Sequence, residues 1–243
     1  MTDEELGRLL VLMKGADSVE LKATVPAADQ RSTIDALGLD AIEAQIRQVF
    51  FFDTPDLRLD KAGLVVRARR VQGGSGDSVV KLRPVDPAEL PKRTRRSAAF
   101  GVEVDAMPGG FVCSGSMKGA VDAADVREAV HGERPVRKLF SKDQRAFYGE
   151  HAPDGVGLDD LTTLGPIFVL KLKSTPKGFD RKLTAEMWMF PDNSRALELS
   201  TKCLPSEAFE VAAETRAFLV SRGIDLDAEQ QTKTRTALEL LAA

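Results

Sequence analysis

The chain has 243 residues with 34 basic and 37 acidic side chains, which gives a formal net charge of −3. This near balance excludes the broad basic surface that is typical of nucleic-acid-binding proteins. Only two cysteines are present, Cys113 and Cys203, so no disulfide framework is expected and a reducing compartment fits. The N-terminal apolar run is too short for a secretory signal or a membrane span, and we therefore expect a cytoplasmic protein.

Helix signals occur near both ends of the chain and between its strand-like segments. Capping residues, acidic first turns and terminal glycines mark their limits. The predicted helices cover 3–13, 29–37, 122–131, a segment from Pro205-Ser206 to Gly223, and the stretch from about residue 227 to the end. No shift in composition marks a boundary, so we predict one domain over 1–243, with C-terminal helices, about 206–242, packed on it.

Short segments between these helices alternate apolar and charged residues, which is the pattern of a strand with one apolar and one charged face. The segments are 18–22, 65–69, 79–83, 102–105, 169–173 and 197–202. A glycine-rich tip at 73–77 joins the second and third segments as a hairpin, and 191–193 forms another turn. The pattern predicts an antiparallel sheet system surrounded by helices.

The charged strand faces can point to solvent, as in most antiparallel sheets, or toward a common interior. Several segments place like charges two residues apart, as Arg67 and Arg69 do, and such neighbours repel by about a few tenths of a kcal/mol when exposed. A polyanion between the strands would remove this repulsion. An inward arrangement also requires a wet channel, because each unpaired buried ion costs several kcal/mol. A closed barrel of about eight strands has an interior of that size.

The motifs resemble, in order, those of the CYTH or triphosphate tunnel metalloenzyme family. The matching segments are Ser18–Lys22, Phe50–Leu57, Val65–Arg69, Val80–Arg83 and Glu198–Lys202. The resemblance implies an α+β fold, namely a closed eight-stranded antiparallel β-barrel, or tunnel, with surrounding helices. It also implies that basic residues hold a triphosphate and that carboxylates hold Mg²⁺ or Mn²⁺. Members of this family include inorganic triphosphatases, thiamine triphosphatases and class IV adenylyl cyclases.

Chemistry and resemblance together give the candidate site residues. The phosphate-binding set is chosen because guanidinium and ammonium groups bind phosphate oxygens. It consists of Lys22, Arg67, Arg69, Lys81, Arg83, Arg145, Lys171, Lys173 and Lys202. The metal set, chosen because hard divalent ions prefer carboxylate oxygens, is Glu20, Glu103, Asp105 and Glu198. We expect Glu20 and Lys22 to act in catalysis. No covalent nucleophile is needed, because phosphoryl transfer to water rests on positioning and charge neutralisation.

Two positions depart from the family pattern. Ser18 stands where the first strand of the family begins with glutamate, and Ser200 stands where its late strand carries a second glutamate. Both missing groups are acidic, so the metal half of the site departs more than the phosphate half. The departures leave open a weak enzyme, an enzyme with altered metal use, or a binder without catalysis.

The sequence predicts metal-dependent hydrolysis of a triphosphate, either inorganic tripolyphosphate or a nucleoside or thiamine triphosphate. The alternatives are cyclisation of ATP in the manner of a class IV adenylyl cyclase and non-catalytic binding of polyphosphate or nucleotide. The expected partner is a small-molecule triphosphate or polyphosphate, without nucleic acid or membrane, and a homodimer is compatible with the sequence.

Other signals are interpreted as packing or solvated loops. The basic run 92–96 predicts a solvated loop beside the tunnel mouth. His131 and His151 have no Cys or His partner at the spacing of a zinc site. Trp188 is interpreted as a core residue, although it shares a strand face with Glu186, so either side chain could reach the tunnel.

Overall fold

The computed structural model describes residues 2–226 and 233–242. Its strands are β1 (Ser18–Val25), β2 (Gln45–Asp53), β3 (Leu64–Val71), β4 (Gly76–Leu82), β5 (Phe100–Met107), β6 (Gly110–Val121), β7 (Thr162–Ser174), β8 (Leu183–Met189) and β9 (Arg195–Cys203). Its helices are α1 (Asp3–Gly15), α2 (Gln30–Leu37), α3 (Arg58–Lys61), α4 (Lys92–Arg95), α5 (Ala123–Val130), α6 (Lys142–His151), α7 (Ala208–Ser221) and α8 (Lys233–Ala242).

The strands form one closed barrel in the order β1-β5-β6-β4-β3-β2-β7-β8-β9. The predicted closed barrel with surrounding helices is confirmed, with two corrections. The barrel has nine strands where eight were expected, and β1 pairs with β5 in parallel through Ser18–Leu21 and Glu103–Ala106. Every other pairing is antiparallel. Since β1 and β5 are distant in sequence, no hairpin constrains them to run in opposite directions.

The predicted helices agree with the structure at the first four positions, within a few residues at their ends. The second one ends at Gly38, whose φ of 62° is the left-handed conformation that a helix C-cap needs. The last predicted helix begins among residues 227–232, which lie outside the described residues, and α8 forms its described part. Three helices, α3, α4 and α6, were not predicted. None of the described helices is long and apolar enough to cross a membrane.

The apolar faces of the strands point out of the barrel, against the helices. On one side, Phe50, Val66 and Val104 of the barrel share a buried cluster with residues of α1 and α6, such as Leu12 and Phe147. On the other side, a second cluster joins β1, β8 and β9 to α2 and α7. The structure is therefore stabilised largely by layers outside the barrel wall, which leaves the charged faces for the interior.

One end of the barrel interior is nevertheless apolar. Inward-facing side chains of β2, β3, β7 and β8 form a third buried cluster, which includes Phe51 and Ile167, both fully buried. Ala237 and Leu238 of α8 complete this cluster. We call it the inner apolar cluster; it fills the barrel on the side where α8 packs.

The Phe-Asp-Thr-Pro segment has a structural explanation. The buried carboxylate of Asp53 accepts hydrogen bonds from the backbone N–H groups of Thr54, Leu59 and Asp60 at 2.7–3.0 Å. These bonds satisfy the first amides of the turn and of α3, and they fix the chain direction between β2 and β3. Asp53 therefore shapes the barrel wall and is not part of the cavity.

Candidate active site

The inward strand faces bound a cavity of about 530 Å³. Twelve basic and five acidic side chains line it. The basic residues are Lys22, Arg47, Arg67, Arg69, Lys81, Arg83, Lys118, Lys171, Lys173, Lys182, Lys202 and Lys233, and the acidic residues are Glu20, Glu103, Asp105, Glu186 and Glu198. The alternation of the strands thus places charged side chains inside the barrel, and every candidate site residue except Arg145 lines the cavity.

Three carboxylates meet where β1 runs beside β5. Glu20 lies directly opposite Asp105 in the parallel pairing. Glu103 comes two residues before Asp105 on β5, so it points to the same side of the barrel wall. One carboxylate oxygen from each of the three lies within 4.8 Å of the others. We call this group the acidic corner. Three converging carboxylates are the donor set that Mg²⁺ or Mn²⁺ prefers, so these residues fit a divalent ion.

Lysine ammonium groups neutralise the acidic corner. Lys22 Nζ lies 2.7 Å from Asp105 Oδ1 and 3.0 Å from Glu20 Oε2, and Lys81 Nζ lies 3.2 Å from Asp105 Oδ2. Burial opposes ionisation of Asp105, but the two ammonium groups outweigh it and hold the pKa of this carboxyl at about 2. Burial also opposes the charge of Lys22, yet its carboxylate neighbours, led by Asp105, raise its pKa above the ordinary value. Asp105 and Lys22 are therefore both charged near neutral pH, whereas burial lowers the pKa of Lys81 below its ordinary value.

The two serines that depart from the family pattern contact this corner directly. Ser18 Oγ donates a hydrogen bond to Glu103 Oε2 at 3.3 Å, and Ser200 Oγ donates to Glu20 Oε1 at 3.1 Å. Glu103 also forms an ion pair with Lys202. The serines therefore orient two carboxylates of the corner without adding negative charge to it.

Half of the cavity cations have no carboxylate partner among the described residues. They are Arg47, Arg67, Arg83, Lys118, Lys173 and Lys182. Arg67 is the most confined of these: its Nε is buried and has no hydrogen-bond partner in the described structure. Burial, reinforced by the neighbouring Arg69, lowers the pKa of Arg67 to about 10. A guanidinium that is partly withdrawn from water without a counterion is costly, and a bound anion would relieve that cost.

A second acidic pair lies on β8 and β9, and β9 is the direct neighbour of β1 in the barrel wall. Glu186 and Glu198 are directly opposite each other on β8 and β9. Lys171 Nζ lies 2.7 Å from Glu186 Oε1, while Lys233 Nζ lies 3.0 Å from Glu186 Oε2 and 2.8 Å from Glu198 Oε1. Burial opposes ionisation of Glu186, but Lys233 and Lys171 outweigh it and lower its pKa. Glu198 is thus separate from the other three predicted metal ligands and contacts an ammonium group.

Arg145 lies outside the barrel. It is on α6, where Gln144 and Phe147 face the barrel wall, and its Nη1 donates to the Phe140 carbonyl at 2.6 Å. The capping box of Ser141 and Gln144 is a helix signal that separates this segment from the strand pattern. The expectation that Arg145 adds to a tunnel-lining set is therefore corrected: its position on a packed outer helix keeps it from the cavity.

Five charged cavity residues were absent from the predicted set: Arg47, Lys118, Lys182, Glu186 and Lys233. Extending the alternation of β2 back from Val49 would have placed Arg47 inside, and Glu186 follows the same rule on β8. Lys233 had no such signal, because it projects from a helix that is distant in sequence from the strands it contacts.

The fold and the cavity define a barrel protein whose interior is rich in unpaired cations and holds a cluster of three carboxylates. No family model and no curated protein matches the chain. Among solved structures, a proposed adenylyl cyclase from Hippeastrum, HpAC1, has a TM-score of 0.67 at 16% identity, over 90% of this chain and 94% of that one. A proposed adenylate cyclase from Bacillus halodurans has a TM-score of 0.62 at 11% identity, over 90% and 98%. The chain shares the fold of these proteins, so the resemblance drawn from the motifs is confirmed at the level of the fold.

Proposed function

We propose that the protein hydrolyses a triphosphate in the barrel cavity with the help of a divalent ion. One observation carries the proposal: cations without partners, led by Arg67, lie in the same cavity as the acidic corner. A triphosphate offers several negative charges in a row, which is the complement of this surface. Binding it would neutralise Arg67 and its neighbours through charge-assisted hydrogen bonds.

The residues of the cavity divide into two groups. Arg47 and Arg67 would bind phosphate oxygens along β2 and β3. Arg69, whose Nη2 lies 2.7 Å from Asp77 Oδ2, would join them by exchanging this carboxylate for a phosphate. Lys22 and Lys81 line the cavity beside the acidic corner, so they would exchange a carboxylate for a phosphate oxygen when substrate enters. These residues would position the chain of phosphates and offset the charge that develops on it.

The acidic corner supplies the other half of the chemistry. Glu20, Glu103 and Asp105 would hold Mg²⁺ or Mn²⁺, which supplies charge neutralisation and polarises phosphate oxygens when bound. We expect a carboxylate at this corner, Glu20 in the first instance, to orient the attacking water and to accept its proton. The water oxygen forms the new bond to phosphorus as the bridging P–O bond breaks, and the products are two shorter phosphates.

The comparison with HpAC1 supports hydrolysis over the alternatives. That protein is described as having a dominant triphosphatase activity. Its likeness to this chain concerns the fold, so activity must be tested directly. Cyclisation and simple binding give different products and are outcomes of the same assay.

The test is phosphate release from tripolyphosphate, ATP and thiamine triphosphate with Mg²⁺ or Mn²⁺, followed by chromatography of the products. We expect phosphate release that depends on the metal and falls strongly in Arg67→Met. Arg235→Met is the matched control, because Arg235 is exposed on α8 and, within residues 2–226 and 233–242, its ion-pair partner is Glu239 of the same helix. Cyclic AMP and pyrophosphate would indicate a cyclase. Tight binding by calorimetry with no product from any substrate would indicate a binder.

A further inference from the structure

Glu186 and Glu198 are two like charges close together, and neither belongs to the acidic corner. They are directly opposite on β8 and β9, and both line the cavity. Like charges at opposite positions of neighbouring strands destabilise a sheet unless a cation lies between them. A divalent ion could fill this role, and the sequence pattern assigned Glu198 to a metal.

Lys233 already fills the position between the two carboxylates. Its Nζ is within 3.0 Å of an oxygen of each, and its side chain is only 8% exposed. The ammonium group also lies 4.9 Å from the centroid of the Trp188 ring, a cation–π distance. The helix that carries it is anchored by Ala237 and Leu238 in the inner apolar cluster. Lys171 balances the remaining charge of Glu186.

The lysines of the acidic corner are held differently. Lys22 and Lys202 project from barrel strands, and their side chains are 18% and 55% exposed. Both line open cavity space, so each can turn toward a phosphate when an ion takes its place. Lys233 also borders the cavity, but it enters from a helix outside the strand system, and its ammonium group is held by two carboxylates and the Trp188 ring at once.

We propose that Lys233 is a built-in cation that neutralises the Glu186–Glu198 pair and keeps divalent ions out of it. Metal binding is then confined to the acidic corner, and Glu198 is a partner of α8 and not a metal ligand. Only the choice of Mg²⁺ or Mn²⁺ as the relevant ions rests on the proposed function. Lys233 acts through the two carboxylates, so it is a positioning residue.

The test counts Mn²⁺ ions per chain by equilibrium dialysis, with and without an imido analogue of tripolyphosphate that resists hydrolysis. Lys233→Met keeps the aliphatic stem and removes the charge, and we expect it to bind one Mn²⁺ more than the wild type. Lys233→Arg should match the wild type, because the cation remains. Adding Glu198→Gln to Lys233→Met should abolish the extra ion. Lys182→Met is the matched control, since Lys182 lines the cavity without a carboxylate partner in the described structure, and it should bind no extra ion.

A second measurement keeps the proposal testable if Lys233→Met does not fold. In the otherwise native chain, Glu198→Gln should leave the number of bound Mn²⁺ ions unchanged, whereas Glu103→Gln should lower it or weaken binding at least several-fold. Equal counts in folded Lys233→Met and the wild type, or a loss of metal in Glu198→Gln, would overturn the proposal. If the wild type binds no Mn²⁺, the result argues against the metal in the proposed function. The Lys233 proposal is judged separately, by the difference in bound Mn²⁺ between Lys233→Met and the wild type.

Discussion

The barrel interior contains a charged cavity and the inner apolar cluster, and the same strands contribute to both. On β2, Arg47 lines the cavity and Phe51 lies in the inner apolar cluster. On β7, Lys171 lines the cavity and Ile167 lies in the inner apolar cluster. Alternation decides which side chains point inward. Position along the strand then decides whether the neighbours are charged groups or the apolar face of α8.

The two regions have different energetic roles. The inner apolar cluster stabilises the fold by burying hydrocarbon, as an ordinary core does. The cavity holds cations that have no carboxylate partner within the described part of the chain, so the ligand-free protein retains a cost that a bound anion would relieve. Stability and binding are therefore separable, and substitutions in the two regions should have effects of different kinds.

The largest effect is expected in the inner apolar cluster. Phe51→Ala should lower the free energy of unfolding by about 3–5 kcal/mol, since it opens a cavity around a fully buried ring. Phe168→Ala, on the outer face of β7 with a 41% exposed side chain, should cost less than about 1 kcal/mol. Urea unfolding measures both. A loss for Phe51→Ala no larger than that of the control would show that this end of the barrel is not packed.

Acid should reveal the contribution of the charged corner. The pKa of Asp105 is about 2 in the fold, below the ordinary value of 3.8, so its ionised form favours folding. This contribution is present above about pH 4 and is lost as the pH falls toward 2; it is on the order of 2 kcal/mol. Urea unfolding of the wild type across this range should show the loss, while Asp105→Asn should show a flatter dependence. If the free energy of unfolding depends on pH equally in the two proteins, Asp105 is not the group responsible for the loss.

Arg67→Met should separate binding from stability. Loss of charge-assisted hydrogen bonds should weaken tripolyphosphate binding roughly tenfold or more. The free energy of unfolding without ligand should rise on the order of 1 kcal/mol, because an uncompensated guanidinium is removed from a confined site. Calorimetry and urea unfolding measure the two effects, with Arg235→Met as the control for both. Unfolding of Arg67→Met would mean that Arg67 has a structural partner and that its inward assignment is wrong.

The smallest effect concerns the edge of the acidic corner. Ser18 Oγ contacts Glu103, so Ser18→Glu should add a fourth carboxylate beside the three already present. We expect the Mn²⁺ concentration for half-maximal phosphate release to fall several-fold, with unchanged affinity for tripolyphosphate. Ser18→Gln has the same size without the charge and should give no such shift. If the two variants titrate alike, position 18 lies outside the reach of the metal.

The sequence was sufficient to predict the inward faces of the barrel. Charged residues two apart, such as Arg67 and Arg69 or Glu103 and Asp105, line the cavity because a strand alternates its side chains strictly. The same rule, applied to β2, would have added Arg47 to the predicted cavity residues. The strand count and the parallel neighbour of β1 could not be deduced, since pairing between distant segments leaves no local pattern.

Residues contributed by helices could not be predicted from alternation. Arg145 was assigned to the tunnel by resemblance, although its helix packs on the outer wall. Lys233 was not assigned at all, because its partners on β8 and β9 lie far away in sequence. These two residues show that basic side chains on helices need tertiary contacts before their role can be judged.

The pairing of β1 with β9 has a consequence for how the chain folds. Glu20 lies opposite Lys202 in this ladder, so the wall closes only when segments from both ends of the chain meet. Closing so long a loop is entropically costly, and folds dominated by distant contacts form slowly. During synthesis β1 has neither of its barrel neighbours until β5 emerges, and the ring stays open until Cys203 has been added. Until then the unpaired edges of β1 and β8 are exposed to other chains, so this protein is expected to be most prone to aggregation late in its synthesis.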